Sequence, residues 1–308
     1  MMEKSVKTTI DTCLNITHDE RLLIITDTAT SPVIGVALLE YAHGKDIDAV
    51  LVVTRERDYN GQEPPDLVKT AMLEADGIIA ATRRSLTHTN ARIDACKNGA
   101  RIISMPGITE EMFKSGGMMA DYVELDRTIR DVKSIFDGAK DVRVVTDAGC
   151  DLIFDLSGCE WNIDSGICHE PGIGVNLPAG ELFIAPKDAN GLAVLDGTVA
   201  GLEDEKTYLK VEIRDRRAVN ITGSGSEKLK NLLDCAGENA YNIAEFAIGM
   251  NPRARLIGNI LEDEKVINTV HIAFGTNTAF GGDVDAGIHL DCVIKDPRIY
   301  VDGKKWSW

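Results

Sequence analysis

Four segments in the second half of the 308-residue chain place metal-capable side chains among apolar, strand-forming residues. NLPAGE ends at Glu181, AEFAIGMNP carries Glu245, TVHIAFG carries His271, and GIHLDCVI carries His289 and Asp291. His289 and Asp291 are two apart. On an extended strand, residues i and i+2 point to the same face, so imidazole and carboxylate would converge. His271 has apolar neighbours on both sides and His289 follows Ile288. A charged group in such a place is costly unless it is paired or ligated. Mixed imidazole and carboxylate donors suit zinc, cobalt, manganese or iron(II). Taken singly, each residue also has a structural reading: the H-x-D as an ion pair on a strand, Glu181 as a solvated turn carboxylate, Glu245 as the partner of an arginine. Their joint presence in one domain is what favours a metal site. A further candidate is His88 in TRRSLTHTNAR (82–92), just past a predicted strand, where open α/β sheets place functional loops. A solvated or capping histidine is the competing reading there.

The elements that must hold these residues fall into two regimes. Up to about residue 140, short apolar runs alternate with amphipathic ones. RLLIITDT (21–28), DAVLVVT (48–54), GIIAAT (77–82) and RIISMP (101–106) read as strands. Between them lie predicted helices, one over 31–43 with Ser31 as N-cap and Pro32 at the first helical position, one after Pro64 and Pro65, and a long one through about 125–139. Such alternation predicts a parallel sheet with helices on both faces. From 141 to 308 the rhythm is shorter, with Gly and polar turn residues recurring every eight to twelve residues, and SEKLKNLLDCAGENAYNIAEFAIG supplies one clear helix before a strand. That pattern predicts a mostly antiparallel β structure. The expected organisation is an α/β domain over 1–140 followed by a β-rich α+β metal-binding domain over 141–308. The two tryptophans of the tail, GKKWSW, are open to packing on a neighbouring subunit or on their own chain.

Composition narrows the partners. The chain is 44% hydrophobic and 27% charged, as in globular proteins with a sizeable core. With 33 basic and 49 acidic residues the net charge is −16, a field that repels nucleic acid and anionic membranes but draws cations and free amines. No apolar run is long enough to span a bilayer, and MMEKSVKTTIDTCLN lacks the apolar core of a secretion signal. The seven cysteines show no CxxC and read as reduced thiols, so a cytoplasmic location is expected. No GxGxxG follows the first strand and no GxxxxGK[ST] occurs, so a nucleotide role has no support.

The strings NLPAGELFIAP, AEFAIGMNP, ILEDEKVINTVHIAFGTN and IHLDCVI resemble the thermophilic metalloaminopeptidases of the aminopeptidase T and S type. The resemblance covers most of the C-terminal half. It implies two divalent metals (zinc, cobalt or manganese) held by Glu181, Glu245, His271, His289 and Asp291, a homodimer, and a metal-activated water that releases N-terminal residues from peptides. In that scheme Glu181 or Glu245 serves as general base. The chain departs from the peptidases in being shorter and in having no tyrosine between His271 and Tyr300, where they place a catalytic phenol. The short form also resembles the 2,5-dihydroxypyridine dioxygenases, which implies a single iron(II) held by His271, His289 and Asp291. SLTHTNAR is similar to their loop bearing an acid–base histidine, here His88. With all five positions filled, the aminopeptidase is the expected function and the dioxygenase the alternative. A non-catalytic protein keeping a degenerate site is the third possibility.

Overall fold

The structure, a computed structural model, describes residues 2–87, 89–203 and 205–308. The chain divides into two compact units, one of residues 1–126 with 164–179, the other of 127–163 with 180–308.

In the first unit, a parallel sheet runs in the order Asp48–Thr54, Arg21–Asp27, Gly77–Ala81, Arg101–Ser104, Gly174–Asn176. The central strands Gly77–Ala81 and Arg101–Ser104 are buried along their whole length, as strands covered on both faces must be. Leu23, Ile25, Ile78, Ala80 and Ile102 form one buried cluster with Val68, Met72, Ala91 and Ala95 of the helices Asp66–Glu74 and Asn90–Lys97. On the other face the helix Pro32–His43 lies so close that a Cβ on Gly35 would stand 2.9 Å from Leu51 and Thr26. Ser31 precedes that helix but makes no cap hydrogen bond; its hydroxyl donates to Glu110 instead. The long helix spans Tyr122–Phe136, starting earlier than its apolar periodicity suggests, because Asp121 Oδ1 accepts from the amides of Val123 and Glu124.

The second unit holds two β-sheets. One has seven strands, in the order Arg217–Ser224, Tyr208–Arg214, Asp188–Leu195, Asp151–Asp155, Asp141–Val145, Arg298–Val301, Lys304–Trp306. The other has five: His289–Lys295, Thr269–Gly275, Ile243–Gly249, Glu181–Ile184, Asn162–Asp164. Phe246 of the five-stranded sheet stacks on Phe154 of the seven-stranded one at 4.5 Å and meets Trp161 edge-on at 6.0 Å. Trp306 packs edge-on against Phe136 at 5.2 Å, within its own chain. Among the described residues no helix is long and apolar enough to cross a membrane, and all seven cysteines are free.

Candidate metal centre

Four neighbouring strands of the five-stranded sheet bring the predicted donors together, and the register shows how. Gly249 pairs with Glu181, Ala247 with His271, Glu245 with Ala273, Ala273 with Asp291, and Gly275 with His289. Directly paired residues of antiparallel strands share a face, and so do residues two apart. Glu181, Glu245, His271, His289 and Asp291 therefore all project from one side. The intervening residues, among them Leu182, Phe246, Ile248, Ile272, Phe274 and Cys292, are buried on the other. Burial of that face is what fixes the register, since a slip of one residue would drive the carboxylates into it. Gly275 is required opposite His289: its φ is +104°, and a Cβ there would stand 2.1 Å from the Ile288 carbonyl oxygen.

The donor atoms form a connected set. Glu245 spans the two imidazoles, with Oε1 3.5 Å from His271 Nε2 and Oε2 3.2 Å from His289 Nε2. Asp291 Oδ1 lies 3.3 Å from His289 Nε2 and 3.9 Å from His271 Nε2. Glu181 Oε2 is 3.5 Å from His271 Nε2. His289 Nδ1 is 2.8 Å from the Thr276 carbonyl, a contact that fixes Nδ1 as the donor and leaves Nε2 facing the carboxylates. Side-chain exposure is 1% at His271, 7% at Glu245 and 8% at Glu181. Three triads lie close enough to hold a cation: Glu181–Glu245–His271, Glu245–His289–Asp291 and Glu264–His271–Asp291.

The last triad includes a residue that sequence reasoning passed over. Glu264 and Lys265 belong to the run EDEK, which reads as a solvated face but is buried throughout. Asn259 caps a short helix, Ile260–Asp263. Asp263 then accepts from the amides of Ile257 and Gly258, and Glu262 from that of Arg255. The chain continues over the sheet, where the Asn251 amide donates to the Lys265 carbonyl at 2.8 Å. Lys265 Nζ reaches Glu181 Oε1 at 2.5 Å and Glu264 Oε1 at 2.7 Å. The available signal was the apolar flanks of that run, Ile260 and Leu261 before it and Val266 and Ile267 after it, which a solvated segment does not need.

The electrostatics follow from this crowding. Burial alone would lower both histidines, but Glu245 with Glu181 and Asp291 pushes His271 up to about 9, and Asp291 with Glu245 raises His289 well above its ordinary value. Burial would likewise raise Glu245 and Asp291, yet the imidazoles hold both below the usual carboxylate range. Glu264 goes the other way: burial, only partly offset by Lys265, pushes it up to about 8. A site that gathers this much negative charge in a dry place, and draws protons onto its imidazoles, is built to receive positive charge. His88, the remaining candidate, lies outside the described residues.

Comparison with known proteins matches residues 6–306 to a family model described as NicX, 2,5-dihydroxypyridine 5,6-dioxygenase. A 2,5-dihydroxypyridine 5,6-dioxygenase of Pseudomonas putida is 24% identical over 257 residues, covering 78% of this chain and 71% of its own length. The solved structure of 2,5-dihydroxypyridine dioxygenase from Pseudomonas putida superposes with a TM-score of 0.82 at 19% identity, over 99% of this chain and 94% of that one. Wild-type AmpT from Thermus thermophilus superposes with a TM-score of 0.71 at 17% identity, over 99% and 96%. Likenesses at these identities to the two solved structures show a shared fold. The family match overturns the expectation of an aminopeptidase, and with it the assignment as a hydrolase or protease. One feature of the chain agrees with that correction: no tyrosine follows His271 before Tyr300, where the resemblance to the peptidases places a catalytic phenol.

Proposed function

Since the chain belongs to the 2,5-dihydroxypyridine 5,6-dioxygenase family, we propose that it is a metal-dependent dioxygenase that opens the ring of a dihydroxylated pyridine between carbons 5 and 6. The observation that carries this reading is the meeting of buried His271 with half-buried His289 and Asp291 around one focus, with Glu245 between the imidazoles. Two imidazoles and a carboxylate are the donor set of non-haem iron(II) oxygenases, and the donor atoms of His289, Asp291 and Glu245 lie within 4.8 Å of one another, close enough to close around one cation. His271, His289 and Asp291 would hold the metal. Iron(II) bound there supplies the one-electron chemistry with dioxygen that amino-acid side chains lack.

The chain's own residues do the rest. Thr276 holds the His289 ring through Nδ1, so its Nε2 stays aimed at the focus without rotamer search. Glu245 stands between the two imidazoles, its oxygens 3.5 and 3.2 Å from their Nε2 atoms, and adds negative charge beside the atoms that would hold the metal. Phe280, half-buried, meets the His289 ring edge-on at 5.9 Å and Phe183 at 5.5 Å. These two phenyl rings form an apolar wall suited to a flat aromatic substrate and exclude water beside the donors. For His88 the role of acid–base residue toward the substrate hydroxyls rests on the SLTHTNAR resemblance.

The test is direct. Protein stripped of metal and reloaded anaerobically with iron(II) is mixed with 2,5-dihydroxypyridine in aerated buffer, and oxygen consumption is followed with loss of the pyridine's ultraviolet absorbance. Equimolar consumption of oxygen and substrate is expected, and a His289→Ala variant should abolish it. No oxygen uptake with any dihydroxypyridine isomer would refute the proposal.

A further inference from the structure

We infer that Lys265 is a built-in substitute for a second metal ion, and that its ammonium restricts this centre to one divalent cation. The inference rests on the reading of the site as a metal centre. The sheet face and the segment above it supply more donors than one ion requires: Glu181, Glu245, Glu264 and Asp291 together with His271 and His289. Two of the triads, Glu245–His289–Asp291 and Glu181–Glu245–His271, share Glu245, and each could hold a cation. The second of these is already served by a positive charge. Lys265 Nζ sits between Glu181 and Glu264 at 2.5 and 2.7 Å, with 2% of its side chain exposed.

A lysine that deep must be paired, and here both partners belong to the candidate metal site. An ion entering at Glu181 would have to displace the ammonium from Oε1 or share a water-excluded pocket with it, and like charges at that range repel strongly where no water screens them. Nor can the ammonium easily withdraw. The Lys265 amide donates to the Glu262 carbonyl, its carbonyl accepts from Asn251, and its neighbour Val266 bridges to Asn251, so the backbone is pinned to the sheet. Lys265 thus acts as a positioning residue: it holds Glu181 and Glu264 away from metal duty and leaves the imidazole side as the single site.

Metal stoichiometry reads this without reference to turnover. Metal-free protein is titrated with cobalt(II) by calorimetry, and metal content is checked by elemental analysis after removal of free ion. The wild type should bind one equivalent and Lys265→Met two, while Lys265→Arg, which keeps the positive charge, should return to one. Lys265→Gln, neutral but able to donate to Glu181, should also bind two and serves where the methionine variant does not fold. Two equivalents in the wild type, or one in both neutral variants, would overturn the inference while leaving a metal-dependent enzyme intact. No stoichiometric cobalt in any of them would instead refute the metal centre itself.

Discussion

A close structural demand behind the site lies at Gly249, and replacing it with alanine should dismantle the arrangement above the sheet. A Cβ at this position would lie 2.2 Å from the Val266 carbonyl oxygen, against about 3.4 Å for an ordinary contact. The deficit of about 1.2 Å falls on backbone, which cannot swing aside as a side-chain tip would. Both flanks are fixed: Gly249 pairs with Glu181, and Val266 bridges to Asn251. The segment Glu264–Val266 must therefore rise from the sheet, carrying Lys265 with it. The 2.5 Å contact from Lys265 to Glu181 would then open to roughly 3.5 Å or more. Overpacking typically costs about 1–3 kcal/mol, and breaking a buried ion pair about 3–5 kcal/mol. Relaxation makes these less than additive, so a loss of about 3 kcal/mol is expected. At about 2–4 °C per kcal/mol for a unit of this size, Tm should fall by roughly 6–12 °C. Thermal denaturation of metal-free protein followed by circular dichroism measures this, since no bound ion then masks the change. A Gly249→Ala variant melting within about 2 °C of the wild type would refute the close approach and the account of how Lys265 is held.

Other consequences follow from burial and charge. His271, raised to about 9 by its carboxylate neighbours, and Glu264, raised to about 8 by burial, both bind a proton more tightly in the folded chain. Their contribution is present below their ordinary values and lost as pH climbs through about 8–9, so Tm of chelator-treated protein should decline between pH 6.5 and 9; a flat or rising Tm would contradict the cluster's electrostatics. At pH 8 in native protein, a thiol reagent should modify the exposed Cys235 rapidly and the half-buried Cys159 slowly. Cys13, Cys150, Cys168 and Cys292, whose thiols burial pushes up, should react only on unfolding, and several fast thiols in native protein would count against this packing. Phe246→Ala removes a ring stacked at 4.5 Å on Phe154 and should cost about 3–5 kcal/mol in chemical denaturation, a loss below about 1 kcal/mol being the refuting result.

Much of this was legible from residue order. Three of the parallel strands announced themselves as apolar runs because a strand covered on both faces has no polar side to show, and the edge strand Asp48–Thr54 showed the same run although Val50 and Val53 are exposed. Gly174–Asn176, which extends that sheet, is only three residues long and carries no such run. The five donors were found by type and by resemblance, and His289 with Asp291 by their spacing of two. Their convergence depends on register, including the irregularity between Ile243 and Glu245 that brings Glu245 opposite Ala273, and a single strand's sequence does not contain its partner's alignment. Glu264 and Lys265 were missed for a different reason. A run of four charged residues normally faces water, and only tertiary structure shows the backbone amides of Arg255, Ile257 and Gly258 meeting its first two carboxylates.

The same omission explains why the expected chemistry was the wrong one. Counting donors treats five filled positions as evidence for two metals, because each carboxylate is taken to await a cation. Glu181 does not: its Oε1 already has one in Lys265. The strands dictate where the donors stand, and they do so through burial of the opposite face, a requirement indifferent to the reaction performed above it. What sets the reaction must therefore come from groups the sheet leaves free to vary. On the proposed reading those are the ammonium delivered by the Glu264–Val266 segment, the phenylalanines Phe183 and Phe280 beside His289, and the stretch after His271 without a phenol. A fold of this kind can carry more than one chemistry, so a count of carboxylates has to include the buried cation already paired with one of them.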